Sequence, residues 1–236
     1  MSVQEEFIST VSHEMRTPLT SIRGFSQTLL NSWDKIDDEN KKKFIKIIEE
    51  QSNRLIHLVE NILTVSKVSA ENFVLKRINI NNSVEKIMPI FYEQYKGHKY
   101  ELLLDKKLPD ILADEDKFQQ VIMNLIDNAS KYSESGKTVT ITTGVTEGSV
   151  FIKIKDQGVG IKEEDFSKLF QKFSRLENHL TSKTQGNGLG LYITKQIVEK
   201  MNGEIGFSSK IGEGTTFEVK FKIYNEEEAL KCSQKS

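Results

Sequence analysis

The chain has 236 residues, 37% of them hydrophobic, and its 33 basic residues nearly balance its 34 acidic ones. This length and composition allow one or two buried cores, and a net charge of -1 gives no bulk attraction to nucleic acid or to an anionic membrane. The single cysteine, Cys232, excludes an internal disulfide and a cysteine metal cluster, and no apolar run in the sequence approaches the roughly 18 residues that span a bilayer.

The first seventy residues are predicted to form a helical hairpin. A helical apolar period runs from Val3 to about Ser69 and is interrupted only at residues 31–34, where turn-forming residues occur. Asp37 or Asp38 is expected to cap the second arm.

The second arm carries two apolar stripes. One repeats at spacings of four and three, as a heptad seam does: Phe44, Ile48, Gln51, Leu55, Leu58, Ile62 and Val65. The other lies beside it: Ile45, Ser52, Ile56, Val59 and Leu63. Because one partner helix cannot cover both stripes, the sequence predicts a homodimeric four-helix bundle built from two hairpins.

Residues 71–225 alternate between strand and helix patterns, which predicts an α+β sandwich with one mixed sheet and helices on one face. Strands are predicted at 73–80, 100–104, 138–145, 150–155, 204–208 and 215–223, and helices at 82–95, 114–132 and 191–201. Between residues 156 and 190 the apolar period is weak, which is typical of a functional lid. The polar tail at 226–236 is expected to fray.

Two asparagines and a lysine share one face of the predicted helix at 114–132. Asn124 and Asn128 are four residues apart, and Lys131 follows three residues later. Amide oxygens and an ammonium suit a hydrated Mg²⁺ and phosphate oxygens. A solvated polar face is the alternative interpretation.

Three glycine-bearing stretches follow. Asp156 stands at a strand end before Gly158 and Gly160, where a carboxylate can accept a hydrogen bond from an exocyclic amine such as that of adenine. Residues 186–191 open a helix, whose first N–H groups can cradle a phosphate. Residues 212–217 precede the last strand. Each stretch taken alone is also compatible with an ordinary turn or helix start.

These motifs resemble those of the sensor histidine kinases, and the resemblance covers nearly the whole chain. Six stretches match in family order: His13-Glu14-x-x-Thr17-Pro18 (H box), residues 124–132 (N box), Asp156-x-Gly158-x-Gly160 (first glycine box), residues 170–173 (F box), residues 186–191 (second glycine box) and Gly212-x-Gly214-Thr215 (third glycine box).

The resemblance implies two domains and a tail. Residues 1–70 would be a dimerization and histidine phosphotransfer hairpin. Residues 71–225 would be a catalytic ATP-binding domain of the Bergerat type, the fold of gyrase and MutL, and residues 226–236 a flexible tail. The absence of a Walker lysine after the helix-opening glycines agrees with this fold.

The resemblance also assigns roles to single residues. The implied metal ligands are Asn128, as the principal one, and Asn124. The implied nucleotide contacts are Lys131, Tyr132, Asp156, Gly158, Gly160, Gly186, Gly188, Leu189, Gly190 and Thr215, with Asp156 bound to the adenine amine.

The resemblance also concerns two basic residues in the predicted lid and two positions that differ from the family pattern. Arg175 resembles the basic lid residue that reaches the terminal phosphate, and Lys183 is a weaker candidate for a second one. Lys172 stands where an arginine is common and Asn187 where a threonine is common, and neither change removes a required chemical group.

Chemical reasoning extends the roles around His13. A carboxylate that accepts the proton of one imidazole nitrogen makes the other more nucleophilic, and Glu14 can do this by reaching back along the helix. Thr17 shares the face of His13, so its hydroxyl could orient a water, which predicts phosphatase activity. Pro18 lacks an N–H and predicts a kink one turn after the histidine.

The implied reaction is autophosphorylation of His13 by Mg-ATP, followed by transfer to an aspartate of a response regulator receiver domain in two-component signalling. The linker at 70–73 would then let the catalytic domain swing toward the bundle. The resemblance places the chain in the cytoplasm, with a membrane involved only through a sensor region outside this sequence, and implies no nucleic-acid partner.

Two alternatives belong to other classes. One is an ATP-driven clamp, disfavoured because an amide, Asn124, occupies the position where such proteins carry a water-activating glutamate. The other is an inactive scaffold, disfavoured because the set of motifs is complete.

Overall fold

The computed structural model describes residues 3–174 and 188–225. Its N-terminal part is the predicted hairpin of two long helices, α1 (Val3–Ser32) and α2 (Asp38–Ala70), joined by a short 3₁₀ helix at Trp33–Lys35. Asp37 caps α2 because its Oδ1 accepts the backbone N–H of Asn40 at 2.9 Å. Among the described helices, none combines the length and apolar character that a membrane crossing requires.

The second part is a five-stranded sheet covered by three helices. The strands are β2 (Lys99–Leu103), β4 (Thr138–Thr146), β5 (Ser149–Lys155), β6 (Glu204–Lys210) and β7 (Gly214–Lys222), in the spatial order β2-β4-β5-β7-β6. The pair β2–β4 is parallel, and the other pairs are antiparallel. The helices are α3 (Ile80–Gln94), α4 (Glu115–Lys131) and α5 (Gly190–Lys200). The α+β interpretation of the sequence is therefore confirmed.

A separate two-stranded ribbon departs from the predicted single sheet. It pairs β1 (Lys76–Ile78) with β3 (Ile111–Ala113), a strand that the sequence pattern did not predict. The strand predicted at 73–80 shrinks to three residues because the N–H of Val74 donates to the Asp114 side chain at 2.9 Å and Asn79 caps α3. The Val74 N–H is thereby withdrawn from strand pairing, and the start of α3 at Ile80 ends the strand on its other side.

The main core lies between the helices and the sheet. The inner face of α4 is fully buried through Phe118, Val121, Ile122, Leu125 and Ile126. The C-terminal half of α2 joins the same core, since Leu58 and Val68 are 2% and 3% exposed. The helical hairpin is thus packed against the second part of the chain through α2 and α5.

The linker after α2 is bound to the α+β part of the chain by contacts with α4 and α5. Lys117 of α4 forms an ion pair with Glu71 at 2.8 Å. Lys200 of α5 donates to the carbonyl of Val68 at 2.5 Å and lies 4.9 Å from the centre of the Phe73 ring. In this arrangement the linker is anchored at both of its ends, so a swing of the domain would have to break these contacts.

Candidate active site

His13 lies on the exposed surface of α1. Its imidazole makes no hydrogen bond or ion pair to another described residue. One turn later, the Thr17 hydroxyl donates to the His13 carbonyl over 3.4 Å, and the ring of Pro18 is buried. The histidine is therefore sterically accessible to a phosphoryl donor.

Glu14 does not reach the imidazole in this structure. Its carboxylate Oε2 instead accepts a hydrogen bond from Nη2 of Arg54 on α2 at 3.2 Å, and about a quarter of each side chain is exposed. The pair lies between the two helices of the hairpin. Arg54 was not predicted from the sequence, because nothing there marks the register in which α1 and α2 pack.

Asp156 is the most strongly perturbed acid of the site. It follows β5 and is 4% exposed, and burial raises its pKa from 3.8 to about 6 although two hydrogen bonds oppose the shift. The backbone N–H groups of Gly158 and Thr215 donate to its Oδ1 at 2.8 and 3.0 Å. Among the described residues, none donates a hydrogen bond to its Oδ2, which is therefore available to a ligand.

Glycines bring neighbouring backbone against this carboxylate. A Cβ on Gly158 would lie 2.1 Å from the carbonyl oxygen of Tyr132, and one on Gly214, whose φ is 101°, would lie 2.2 Å from the carbonyl oxygen of Asp156. Gly160 has a φ of 70° and approaches the carbonyl of Lys210 equally closely. These positions exclude any side chain, so the pocket around Asp156 depends on the glycines.

Ser209 of β6 forms hydrogen bonds to both loops that border Asp156. Its hydroxyl accepts the N–H of Ile161 at 2.8 Å, lies 2.9 Å from the Thr215 hydroxyl and donates to the Gly214 carbonyl at 3.0 Å. It thus joins the loop after β5 to the start of β7. A serine in a strand carries no distinguishing sequence signal, and sequence reasoning missed it.

The polar face of α4 meets the start of α5. The Asn124 amide nitrogen donates to the Thr194 hydroxyl at 2.8 Å, and a Cβ on Gly190 would lie 2.6 Å from Asn124 Oδ1. Asn128 is half-buried, and its amide forms no hydrogen bond within the described residues. Asn124 therefore stands beside the N-terminus of α5, where anions are stabilised, and Asn128 lies one turn further along the same face of α4.

The C-terminal turn of α4 leads into the Asp156 pocket. Lys131 pairs with Asp127 at 2.5 Å, one helical turn back. The carbonyl of Tyr132 accepts the N–H of Val159 at 3.3 Å, which places this residue against the first glycine loop. The predicted N box and first glycine box are thus in direct contact.

The second glycine box and the F box also meet. Gly188 has a φ of 68°, and a Cβ there would lie 2.6 Å from the backbone of Phe173. Leu189 is fully buried. Four further predicted residues lie outside the described part of the chain: Arg175, Lys183, Gly186 and Asn187.

Comparisons with known proteins agree with this geometry. Residues 3–71 match the His Kinase A (phospho-acceptor) domain, and residues 113–225 match the histidine kinase-, DNA gyrase B- and HSP90-like ATPase family. The sensor histidine kinase WalK of Bacillus subtilis is 35% identical over 234 residues, which are 95% of this chain. The chain belongs to the sensor histidine kinases. It spans less than half of the length of the curated relatives it matches, 38% in the case of WalK.

Solved histidine kinases share the arrangement of both parts. The structure of AdeS from Acinetobacter baumannii covers 90% of this chain and 98% of its own, with a TM-score of 0.71 and 29% identity. The histidine kinase ThkA, solved in complex with the response regulator protein TrrA, covers 93% of this chain and 61% of its own with a TM-score of 0.74. At 23% identity the likeness to ThkA shows the fold alone.

Proposed function

We propose that this chain is the catalytic core of a two-component sensor kinase: Mg-ATP phosphorylates His13, and the phosphoryl group then passes to an aspartate of a response regulator. The observation that carries the proposal is the surroundings of Asp156, where a buried carboxylate keeps one oxygen for a ligand and closely packed glycine loops fix its position. Membership of the family and the accessible His13 on the same chain support it.

The residues present fit a magnesium nucleotide. Asn128 and Asn124 would hold the metal, since the Asn124 amide nitrogen is engaged by Thr194 and its oxygen is left as the acceptor. The N-terminus of α5 and the close-approaching Gly188 and Gly190 would receive the phosphates. Mg²⁺ supplies neutralisation of phosphate charge during transfer. Lys131 and Tyr132 border the same face of α4, and we assign Arg175 to the terminal phosphate.

At His13 the unprotonated ring nitrogen would attack the γ-phosphorus. The new N–P bond forms as the bond to the ADP oxygen breaks, and the proton on the other ring nitrogen passes to the Glu14 carboxylate. Because Arg54 holds that carboxylate, Glu14 must exchange Arg54 for the imidazole before it can act. In the reverse role, Thr17 would orient a water against a phosphorylated regulator.

We further propose that residues 1–70 form the dimerization domain, residues 71–225 the catalytic domain and residues 226–236 a tail. The outward stripe of α2 supports dimerization, since Ile45, Ile56, Val59 and Leu63 are between 41% and 54% exposed. Changing Ile56 to Glu should yield a monomer in light scattering, whereas His57→Glu, beside the stripe, should leave the dimer intact. A dimer that persists in Ile56→Glu would contradict the assignment. We assign the cytoplasm as the location of this core.

The test of the proposed reaction is incubation with γ-labelled ATP and magnesium. We expect a label that is stable to alkali, is lost in acid, and is absent from His13→Gln. A chain that binds ATP but stays unlabelled would contradict the proposed kinase. Release of inorganic phosphate would then favour the ATP-driven clamp, and no release would favour the inactive scaffold. Transfer of the label to a receiver domain tests the second step.

A further inference from the structure

Asp127 interrupts the polar face of α4 with a negative charge close to the expected phosphates. In an α-helix successive residues turn by about 100°, so Lys131 lies about 40° from Asp127 and about 60° from Asn128 around the axis. The ammonium can therefore turn either to the acid or to a phosphate held beside the asparagines. In this structure it is bound to Asp127 Oδ2 at 2.5 Å.

A second element fixes the carboxylate. The hydroxyl of Tyr95, the residue that follows α3, donates to Asp127 Oδ1 at 2.6 Å. Tyr95 is itself held by ring contacts with Phe91 and His98, whose centroids lie 6.4 and 5.7 Å away. Burial and the neighbouring carboxylate raise the pKa of Tyr95, so its hydroxyl stays protonated and keeps donating. Each oxygen of Asp127 thus has its own donor.

We propose that Asp127 is a positioning residue that competes with nucleotide phosphates for Lys131 and thereby weakens phosphate binding without affecting the nucleoside. This inference rests on the proposed function, because it requires phosphates beside Asn128. About a quarter of the Asp127 side chain and a third of the Lys131 side chain are exposed, so the pair is a modest one that a phosphate can displace. The expected consequence in the reaction is easier release of ADP.

The test compares the binding of ADP and adenosine, both measured in EDTA to remove any contribution from metal. Asp127→Asn keeps the shape and the acceptor for Tyr95 but removes the charge. We expect ADP to bind about two- to fivefold more tightly, because one unit charge at a partly exposed site is removed. Adenosine affinity should change less than twofold, and the gain for ADP should shrink as salt is added.

Two variants separate the proposed route from other effects. In a Lys131→Met background, Asp127→Asn should strengthen ADP binding by less than it does when the lysine is present, and this difference is the signature of coupling through the lysine. Asp116→Asn removes the same charge from the first turn of α4, eleven residues and about 16 Å away, and should leave both affinities unchanged. Tyr95→Phe removes one of the two donors to the carboxylate but keeps its charge, so it should not strengthen ADP binding relative to adenosine binding.

Equal changes for ADP and adenosine would overturn the inference, as would weaker ADP binding in Asp127→Asn or an undiminished gain in the Lys131→Met background. The proposed function fails separately: a wild-type chain that binds neither ADP nor adenosine would refute the nucleotide site itself. Because the readout is a ratio of affinities measured on one preparation, it stays informative in a variant of reduced stability.

Discussion

Replacing Asp156 by Asn should stabilise the protein while abolishing its recognition of adenine. Burial raises the pKa of this carboxyl from 3.8 to about 6, so the native state binds its proton more tightly than the unfolded chain does. Unfolding between these pH values releases a proton, and the free energy of unfolding therefore falls as the pH rises through this window. Above about pH 6 both states are ionised and the cost stays constant.

The size of this cost follows from the shift. A difference of about two pKa units corresponds to about 3 kcal/mol at pH 7 to 8. The amide of Asp156→Asn does not ionise, and its oxygen can still accept from Gly158 and Thr215. Because about 0.5 kcal/mol of this cost is already present at pH 4, the stability of the variant minus that of wild type should rise by about 2 to 2.5 kcal/mol between pH 4 and pH 8. If the new amide N–H₂ is left without a hydrogen-bond partner, its burial lowers the stability of the variant equally at every pH and does not change the rise of the difference with pH.

The assay is urea unfolding of both proteins from pH 4 to pH 8, followed by circular dichroism. Hydrogen exchange of peptides from β5 and β7 locates the effect, because these strands flank Asp156. Asp116→Asn, which removes an exposed carboxylate, is the matched control and should give a flat difference. If the difference in free energy of unfolding between Asp156→Asn and wild type were also independent of pH, the argument from burial would be refuted. Adenosine affinity of the wild type should also fall about tenfold per pH unit below pH 6, since only the carboxylate accepts the adenine amine.

Three further predictions concern the hairpin and the linker. Thr17→Ala should autophosphorylate normally but dephosphorylate a phosphorylated regulator at least tenfold more slowly, measured by loss of label from the receiver domain; full phosphatase activity would exclude the hydroxyl. Pro18→Ala restores a helical N–H to the Glu14 carbonyl and should shift the ratio of kinase to phosphatase rates, whereas an unchanged ratio would mean that the kink is only tolerated. Lys200→Met removes the bond to the Val68 carbonyl and should speed hydrogen exchange at the end of α2 about fivefold, and unaltered exchange would show that this contact does not hold the linker.

Sequence reasoning succeeded where a pattern is local. The two helices of the hairpin and the amphipathic α4 were predicted within a few residues because their apolar periods extend over many turns. The cap of α2 was predicted as Asp37 or Asp38, and the structure has Asp37, because capping involves residues three apart. The glycine loops were located because backbone contact excludes side chains from them.

Failures of prediction arose where one contact joins distant parts of the chain. The strand β3 has three residues, too few to show a period, and it pairs across more than thirty residues with β1. Arg54 and Glu14 are forty residues apart, and their contact depends on the rotation and register of two packed helices. Tyr95 and Asp127 likewise meet only because α3 packs on α4. Such pairs follow from the tertiary structure, and no spacing rule in the sequence predicts them.

The two halves of the proposed site share a property that sequence motifs do not show. Glu14, the expected base, is paired with Arg54, and Lys131, an expected phosphate ligand, is paired with Asp127. Partly exposed pairs of this kind contribute about 0 to 1 kcal/mol, because solvent screens them and ordering two long side chains costs entropy. Each pair therefore neutralises a reactive group at small cost and can be opened by a competing charge. For the proposed reaction we therefore expect activation to require an exchange of partners at both of these groups, in which Arg54 and Asp127 take part without touching the transferred phosphoryl group.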